Sequence, residues 1–206
     1  MSSETITLTT TTDGIDLKRA HTVHTIHELL AMRWSPRSFA ETPVSETDMN
    51  TILEAAAWAA SGGNGQPWAF IYGLRGSKTF GMILSALNPS NQAWAQNAGA
   101  LVLCLARVMN AEGKPSRLAL HDTGSAMTTM LLQGTAMGIY GHPMGGYNME
   151  QMREQFSIPQ QYETAAVVAM GYVGSPDALS EHNRTREIEP RTRKPLADYA
   201  FSTSPF

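Results

Sequence analysis

The sequence predicts one globular domain that combines helices with strands, and three observations lead to this prediction. The chain has 206 residues, of which 42% are apolar and 16% are charged, so it can bury a substantial core. Several stretches place apolar residues at helical spacing, while other apolar runs are short and continuous, as in buried strands. No internal repeat or linker divides the chain. We therefore expect a single domain over residues 21–206.

Residues 1–20 show little apolar periodicity and include the threonine-rich run Thr7–Thr12, so we predict a disordered N-terminal arm without a signal pattern. A single cysteine, Cys104, excludes an internal disulfide and indicates a reducing, cytoplasmic compartment. The chain has no run of eighteen apolar residues, so we expect no membrane span. A net charge of −3 argues against a nucleic-acid partner.

In the first part of the domain, helical spacing of apolar residues predicts a helix over 24–34, which Pro36 would end. Ser45 is a typical helix cap, and the acids that follow it favour a helix over 46–60. A strand-like apolar run then follows over 68–72.

The middle of the chain alternates in the same way. A helix is predicted over 77–87, with the turn residues Asn88–Asn91 ending it. The continuous apolar run 101–105 indicates a buried strand, and Cys104 within it is expected to be a core residue rather than a nucleophile.

The stretch 117–137 is helical and nearly apolar all round, which predicts a central buried helix. A short extended piece over 139–144 and a helix from Asn148 to Phe156 follow it. The run 164–173 is typical of another buried strand. The segment after Ser175 is polar and basic, and by itself it is typical of a solvated extension.

Two loops and two clusters could carry chemistry. The glycine loop, Ala60–Trp68, could be a helix end with a turn or could face a ligand, since its glycines allow close approach. The arginine loop, Arg33–Phe39, could cradle an anion or could only expose two arginines. His21, His24 and His27 share a helical side, but no further ligands complete a metal site, so none is expected. Asp122 beside His121 is interpreted as an acid in an early helical turn.

Four stretches in order resemble the FMN-dependent nitroreductase family, from about residue 27 to residue 200. They are Arg33–Phe39, Ser61–Trp68, Pro143–Tyr147 and Arg191–Leu196. The resemblance implies an α+β fold with a central mixed, mostly antiparallel sheet flanked by helices. It also implies a long buried central helix and a C-terminal extension that reaches a partner subunit.

The resemblance further implies an FMN site shared by two identical chains. Arg37 would stabilise negative charge at the N1 and C2 carbonyl edge of the flavin, where the chemistry occurs at N5. The remaining cofactor contacts would be Arg33, Trp34, Ser35, Arg191 and Arg193 around the phosphate, Asn91 at the pyrimidine edge, Pro143, Met144, Gly145 and Gly146 over one face, and Ser61, Gly62 and Asn64 from the partner subunit.

Three positions depart from the commoner family pattern. Gly145 stands where many members carry an acid, Gly62 replaces a frequent serine, and Trp34 stands where a basic residue is common. A contact through the backbone of Gly145 would survive the first change. The change at Gly62 removes a hydroxyl near the pyrimidine ring, and Trp34 makes the phosphate or ribose end less basic.

The activity implied is that of a homodimeric oxidoreductase. It would transfer a hydride from NADH or NADPH to FMN and pass the electrons to a small acceptor such as a nitroaromatic or a quinone, by ping-pong kinetics. Two alternatives stay open. One is a specialised flavin dehydrogenase or reductive dehalogenase of the same family, and the other is a non-catalytic flavin-binding carrier or sensor.

Overall fold

The structure is a computed structural model that describes residues 18–110 and 112–204. Most of the predicted N-terminal arm, residues 1–17, therefore lies outside the described residues. Within the described end of that arm, Lys18 is buried, and its ammonium group donates to two backbone carbonyls near the C-terminus.

Four strands form one sheet in the order β1-β2-β4-β3. They are β1 (Trp68–Leu74), β2 (Ala100–Arg107), β3 (Tyr140–Met144) and β4 (Tyr162–Gly171). Every pairing among these four strands is antiparallel. β2 and β4 occupy the centre, which explains why both are continuous apolar runs, and β1 and β3 form the two edges.

Seven helices surround the sheet in the described part of the chain. They are α1 (Glu28–Met32), α2 (Glu46–Ala57), α3 (Lys78–Ala86), α4 (Pro89–Ala95), α5 (Ala119–Ala136), α6 (Met149–Gln155) and α7 (Glu181–Ile188). The fold is therefore α+β, as expected. Local chemistry explains several boundaries: Ser45 and Asp48 form a capping box at the start of α2, and Asn148 caps α6.

Three helix predictions need correction. α1 begins at Glu28 rather than near residue 24, because His27 is its N-cap and accepts a hydrogen bond from the Leu29 N–H. α3 does end just before Asn88, as predicted, but Pro89 then opens a further helix, α4, where a missing N–H costs nothing. α7 lies in the segment that was predicted to be a solvated extension.

The core fills both faces of the sheet. On one face, α3, α4 and α6 pack against Leu101, Leu103 and Leu105 of β2. On the other face, α2 and the long helix α5 pack against the alternate residues Val102 and Cys104. Burial raises the pKa of the Cys104 thiol to about 12, so this residue is an inert core side chain, as predicted. Among the described residues, no helix is both long and apolar enough to cross a bilayer.

Candidate active site

The arginine loop is held in place by a carboxylate from the far end of the chain. Glu187 of α7 is buried and accepts hydrogen bonds from the backbone N–H groups of Arg37, at 2.9 and 3.0 Å, and Ser38, at 2.9 Å. Burial raises the pKa of the Glu187 carboxyl, although these N–H groups and the charges of Arg37 and Lys18 oppose the rise. This contact brings the C-terminal segment against the arginine loop.

Three arginines meet beside this contact. The Arg191 guanidinium donates to the carbonyls of Arg33 and Ala31, which are free because α1 ends there. Burial lowers the pKa of Arg33 and of Arg191, and the positive charges of the neighbouring arginines, Arg193 among them, lower both further. In the part of the chain that the structure describes, none of the three forms an ion pair with a carboxylate. We call Arg33, Arg191 and Arg193 the arginine cluster.

The arginine cluster has the donor chemistry of an anion site. Like charges repel, so bringing three guanidinium groups together without a carboxylate is unfavourable unless an anion joins them. The Nε atom of Arg191 is buried and has no hydrogen-bond partner. A phosphate supplies both the negative charge and several acceptor oxygens, and arginine binds it through short, charge-assisted hydrogen bonds.

Lys18 was missed by the sequence analysis, where it fell within the predicted disordered arm. Its ammonium group donates to the carbonyl oxygen of Arg186, at 2.9 Å, and to that of Glu189. It also lies 5.4 Å from the centre of the Trp34 ring. Lys18 thereby satisfies carbonyls at the C-terminal end of α7, where a positive charge is favourable.

Trp34 and Ser35, which were predicted to lie near the phosphate, differ in whether their side chains are accessible to a ligand. The Trp34 side chain is buried and packs against Tyr140, with ring centres 6.3 Å apart. Only its backbone is therefore available to a ligand. Ser35 is half-buried on the same loop, so its hydroxyl can still reach a ligand.

His142 connects strand β3 to the arginine loop and was also missed. Its Nδ1–H donates to the carbonyl of Pro36 at 2.9 Å, and its ring lies against Trp94 with centres 4.6 Å apart. Burial lowers the pKa of His142 to about 4, and the nearby charge of Arg37 contributes to this shift. The ring is therefore neutral at pH 7 and adds no further positive charge beside Arg37.

Asn91, which the resemblance placed at the pyrimidine edge of the flavin, lies beside the residues that follow β3. The Asn91 side-chain amide donates to the Gly146 carbonyl at 3.1 Å, and the Asn88 N–H donates to the same oxygen at 3.0 Å. A Cβ atom at Gly146 would lie 2.9 Å from the Asn91 amide nitrogen, so a side chain there would force these groups apart. Gly145 is exposed and has open space around its Cα.

The two residues before these glycines differ in exposure. Pro143 is half-buried and can cover a ligand. The Met144 side chain is buried in the core, so Met144 can contribute to a site only through its backbone.

The glycine loop is a strained, exposed turn. Gly63, Asn64 and Gln66 have φ angles of 57°, 56° and 42°, the left-handed region that costs a side-chain-bearing residue energy. The Ser61 hydroxyl stabilises the turn by accepting a hydrogen bond from the Gln66 N–H at 3.1 Å. Strain of this kind in an exposed loop favours a ligand-facing role over a plain helix end.

Asp122 holds this loop to helix α5. Its carboxylate accepts a hydrogen bond from the Gly62 N–H at 2.9 Å and contacts His121 Nδ1 at 2.9 Å. These two hydrogen bonds, that of His121 first, lower the pKa of the Asp122 carboxyl. Asp122 does lie in the first turn of α5, as predicted, but the interpretation as a plain helical acid missed its contact with the loop.

The glycine loop does not meet the residues that follow β3 within one chain. The loop precedes edge strand β1, whereas Gly145 and Gly146 follow the opposite edge strand β3. Three inter-strand spacings, about 14 Å, therefore separate them at the same end of the sheet. The glycine loop instead borders a cleft of about 390 Å³, whose lining includes Gly62, Gly65, Pro67, Arg107, Leu118 and Asp122.

The site and the fold together define a class of protein, an α+β domain in which three arginines cluster without a carboxylate partner among the described residues. Comparison with known proteins specifies this class further. The family model for the Nitroreductase family matches residues 30–98 and 73–172. The chain belongs to the Nitroreductase family.

The chain is also similar in sequence to two relatives. An uncharacterised 15.4 kDa protein from Mycolicibacterium smegmatis is 30% identical over 140 residues, which are 65% of this chain and 94% of the relative. A protein from Archaeoglobus fulgidus, provisionally named an NADH dehydrogenase/NAD(P)H nitroreductase, is 28% identical over 149 residues. That match covers 70% of this chain and 83% of the relative.

Solved structures share the fold. An oxidoreductase containing FMN superimposes with a TM-score of 0.86 at 34% identity, covering 90% of this chain and 96% of its own. A nitroreductase from Exiguobacterium sibiricum, provisionally named and solved in complex with FMN, has a TM-score of 0.71 at 21% identity. It covers 89% of this chain and 99% of its own, and at this identity it supports the fold alone.

Proposed function

We propose that this protein is an FMN-dependent oxidoreductase that takes a hydride from NADH or NADPH. The observation that carries the proposal is the arginine cluster, in which three guanidinium groups meet without a carboxylate and one buried Nε lacks a partner. A dianionic phosphate fits this donor set. The FMN-containing oxidoreductase of similar fold supports the choice of cofactor.

Residues from three parts of the chain would hold FMN. Arg33, Arg191 and Arg193 would bind the phosphate, with Ser35 beside them. Asn91 and the backbone of Gly145 and Gly146, with Pro143, would hold the ring system. Trp34 and Met144 would contribute backbone only, since their side chains are buried.

When bound, FMN supplies the hydride chemistry, passing electrons from NADH or NADPH to an acceptor such as a nitroaromatic or a quinone in ping-pong fashion. Arg37 provides a fixed positive charge beside the ring that stabilises developing negative charge. Glu187 fixes the backbone of Arg37, and neutral His142 holds the loop through the Pro36 carbonyl.

The proposed assembly is a cytoplasmic homodimer with two shared sites. Ser61, Gly62 and Asn64 would reach the cofactor of the partner subunit. Two observations support this arrangement: the glycine loop and the end of β3 lie at opposite sheet edges, and Asp122 holds the loop exposed at its own edge. The net charge of −3 supports a small-molecule acceptor over a nucleic-acid partner.

Anaerobic stopped-flow spectroscopy tests the proposed activity. The FMN-loaded protein is mixed with NADH and then, separately, with NADPH, and flavin absorbance is followed. Rapid bleaching by either nucleotide is the expected result. Persistent yellow colour with both would contradict the oxidoreductase proposal and favour a flavin carrier or sensor, and failure to take up FMN at all would contradict the cofactor assignment.

The same experiment tests Arg37. Arg37→Ala removes the positive charge beside the ring, so we expect reduction by the preferred nucleotide to slow about tenfold or more. FMN affinity should change less, because the phosphate contacts remain. Arg75→Ala is the matched control: it removes an exposed arginine whose guanidinium donates to the Ala40 carbonyl, just beyond the arginine loop, and should leave the reduction rate close to that of the parent. An unchanged reduction rate in Arg37→Ala would contradict the electrostatic role.

A further inference from the structure

Lys18 occupies an unusual position for a residue at the start of the described chain. It is buried, and its ammonium group contacts two backbone carbonyls that lie 168 and 171 residues away in the sequence. Burying an ammonium group is costly unless it is well paired. Desolvation accordingly lowers its pKa, although Glu187 and Glu189 partly compensate.

The partners of Lys18 explain what this charge stabilises. The Arg186 and Glu189 carbonyls belong to the last turn of α7 and the residue after it, where the helix leaves carbonyls without intrahelical donors. Only one residue, Pro190, separates Glu189 from Arg191. A donor that fixes the end of α7 therefore also fixes the point from which the chain leads into the arginine cluster.

Glu187 also holds the C-terminal end of α7. That carboxylate binds the Arg37 and Ser38 N–H groups on the arginine loop. Lys18 interacts electrostatically with Glu187 as well as with Arg37 and Arg191. Lys18 and Glu187 thus secure the α7 end from two sides, and Arg191 then reaches the carbonyls at the end of α1.

We infer that Lys18 is a positioning residue for the phosphate end of the FMN site: it fixes the end of α7 so that Arg191 and Arg193 stand beside Arg33. This inference rests on the proposed FMN function. Lys18 acts through the arginines and does not contact the reacting part of the cofactor. Loss of its ammonium group should therefore weaken recognition of the phosphate and leave recognition of the ring system unchanged.

The test compares FMN with riboflavin, which has the same ring system without the phosphate. Dissociation constants for both are measured by fluorescence titration of the full-length protein stripped of flavin. Lys18→Met keeps the aliphatic chain and removes the ammonium group. We expect FMN affinity to fall about tenfold, because the arginines must be ordered on binding, while riboflavin affinity changes less than about twofold.

Lys194→Met is the matched control. Lys194 is an exposed lysine next to Arg193, so its replacement removes the same charge nearby without touching α7. We expect the FMN-to-riboflavin affinity ratio to stay close to that of the parent protein. Equal losses in both variants would overturn the positioning role in favour of general electrostatics.

Other outcomes are equally decisive. An unchanged affinity ratio in Lys18→Met overturns the inference, as does an equal loss for both flavins, which is the mark of a general structural defect. If Lys18→Met does not fold, Lys18→Gln retains one donor and should lower the ratio by a smaller factor; no change there also overturns the inference. Failure of the parent protein to bind FMN contradicts the proposed function itself.

Discussion

Two loops of this protein are each held by one buried carboxylate, and the pKa values of the two carboxyls are shifted in opposite directions. Glu187 holds the arginine loop from a buried position, where desolvation raises the pKa of its carboxyl. Asp122 holds the glycine loop, and hydrogen bonds from His121 and Gly62 lower the pKa of its carboxyl. Glu187 supports a site formed within one chain, whereas Asp122 supports a loop that its own chain leaves exposed.

The difference shows how one chain can prepare two halves of a site. At the arginine loop, sequence-distant segments meet and leave an excess of positive charge that an anion can neutralise. At the glycine loop, the backbone is already fixed and presents polar groups outward. Under the proposed function, the arginine loop would obtain its charge balance from the FMN phosphate, and the glycine loop would be covered by a partner subunit.

The largest expected effect comes from the arginine half. Arg191→Ala combined with Arg193→Ala removes two charge-assisted contacts, each worth roughly 1.5 kcal/mol or more. FMN affinity should fall about a hundredfold, with little change for riboflavin. Isothermal titration calorimetry with both flavins measures this. Equal affinity of the variant and the parent protein for FMN would place the phosphate elsewhere.

Removing Glu187 should have the next largest effect. Glu187→Ala leaves the buried N–H groups of Arg37 and Ser38 without acceptors, which costs about 2–3 kcal/mol of unfolding free energy. Urea denaturation measures the change. Glu189→Ala, an exposed acid two residues away, is the control and should change stability by about 0.5 kcal/mol or less. Similar losses in both variants would contradict the anchoring role.

A pH effect is expected from His142. Its folded pKa of about 4 lies below the ordinary 6.5, so the folded state binds the proton less well than the unfolded state. The stability it contributes is present above pH 6.5 and is lost as the pH falls towards 4. The free energy of unfolding that depends on His142 protonation is on the order of 2 kcal/mol, allowing for partial exposure of the ring.

His142→Asn isolates this contribution, because the amide nitrogen can replace Nδ1 as the donor to Pro36. Thermal unfolding at several pH values should show a shallower acid loss in the variant than in the parent. The stability linked to the Glu187 carboxyl has the opposite pH dependence. It is present below pH 4.5 and is lost as the pH rises through the raised pKa of that carboxyl. Parallel curves for parent and variant would contradict the assignment to His142.

The smallest effect is expected at the glycine loop. Asp122→Asn keeps an acceptor for the Gly62 N–H but removes the charge, so we expect a loss of about 1 kcal/mol or less. Hydrogen exchange of the Gly62 amide should rise in Asp122→Ala and change little in Asp122→Asn. Equal protection in all three proteins would show that the carboxylate does not hold the loop.

The sequence predicted the fold where local patterns carry the information. Short continuous apolar runs located the strands, a helical stretch that is apolar all round located α5, and capping residues located α2 and α6. It failed where a local pattern is ambiguous or weak. Pro89 can end one helix or open the next, and α7 is too polar to show an apolar face.

The candidate site was predicted only in part, because its contacts join distant segments. Arg33 and Arg191, 158 residues apart, were paired through family resemblance rather than through any local signal. Lys18, His142 and Glu187 were missed, because nothing in the local sequence distinguishes a buried lysine, histidine or glutamate from a solvent-exposed one.

The most direct test of the two-half account is complementation between two defective chains. One chain carries Arg191→Ala and Arg193→Ala, and the other carries Ser61→Ala and Asn64→Ala. The two are co-expressed with different tags, and heterodimers are purified through both tags. FMN is then titrated at a concentration that fills the parent protein but neither variant alone.

If the arginine half of one chain meets the glycine half of the other, each heterodimer contains one intact and one doubly defective site. The account therefore predicts about one FMN per heterodimer, against about two per parent dimer. Heterodimers that bind no more FMN than either defective homodimer would contradict it, because both halves would then belong to the same chain.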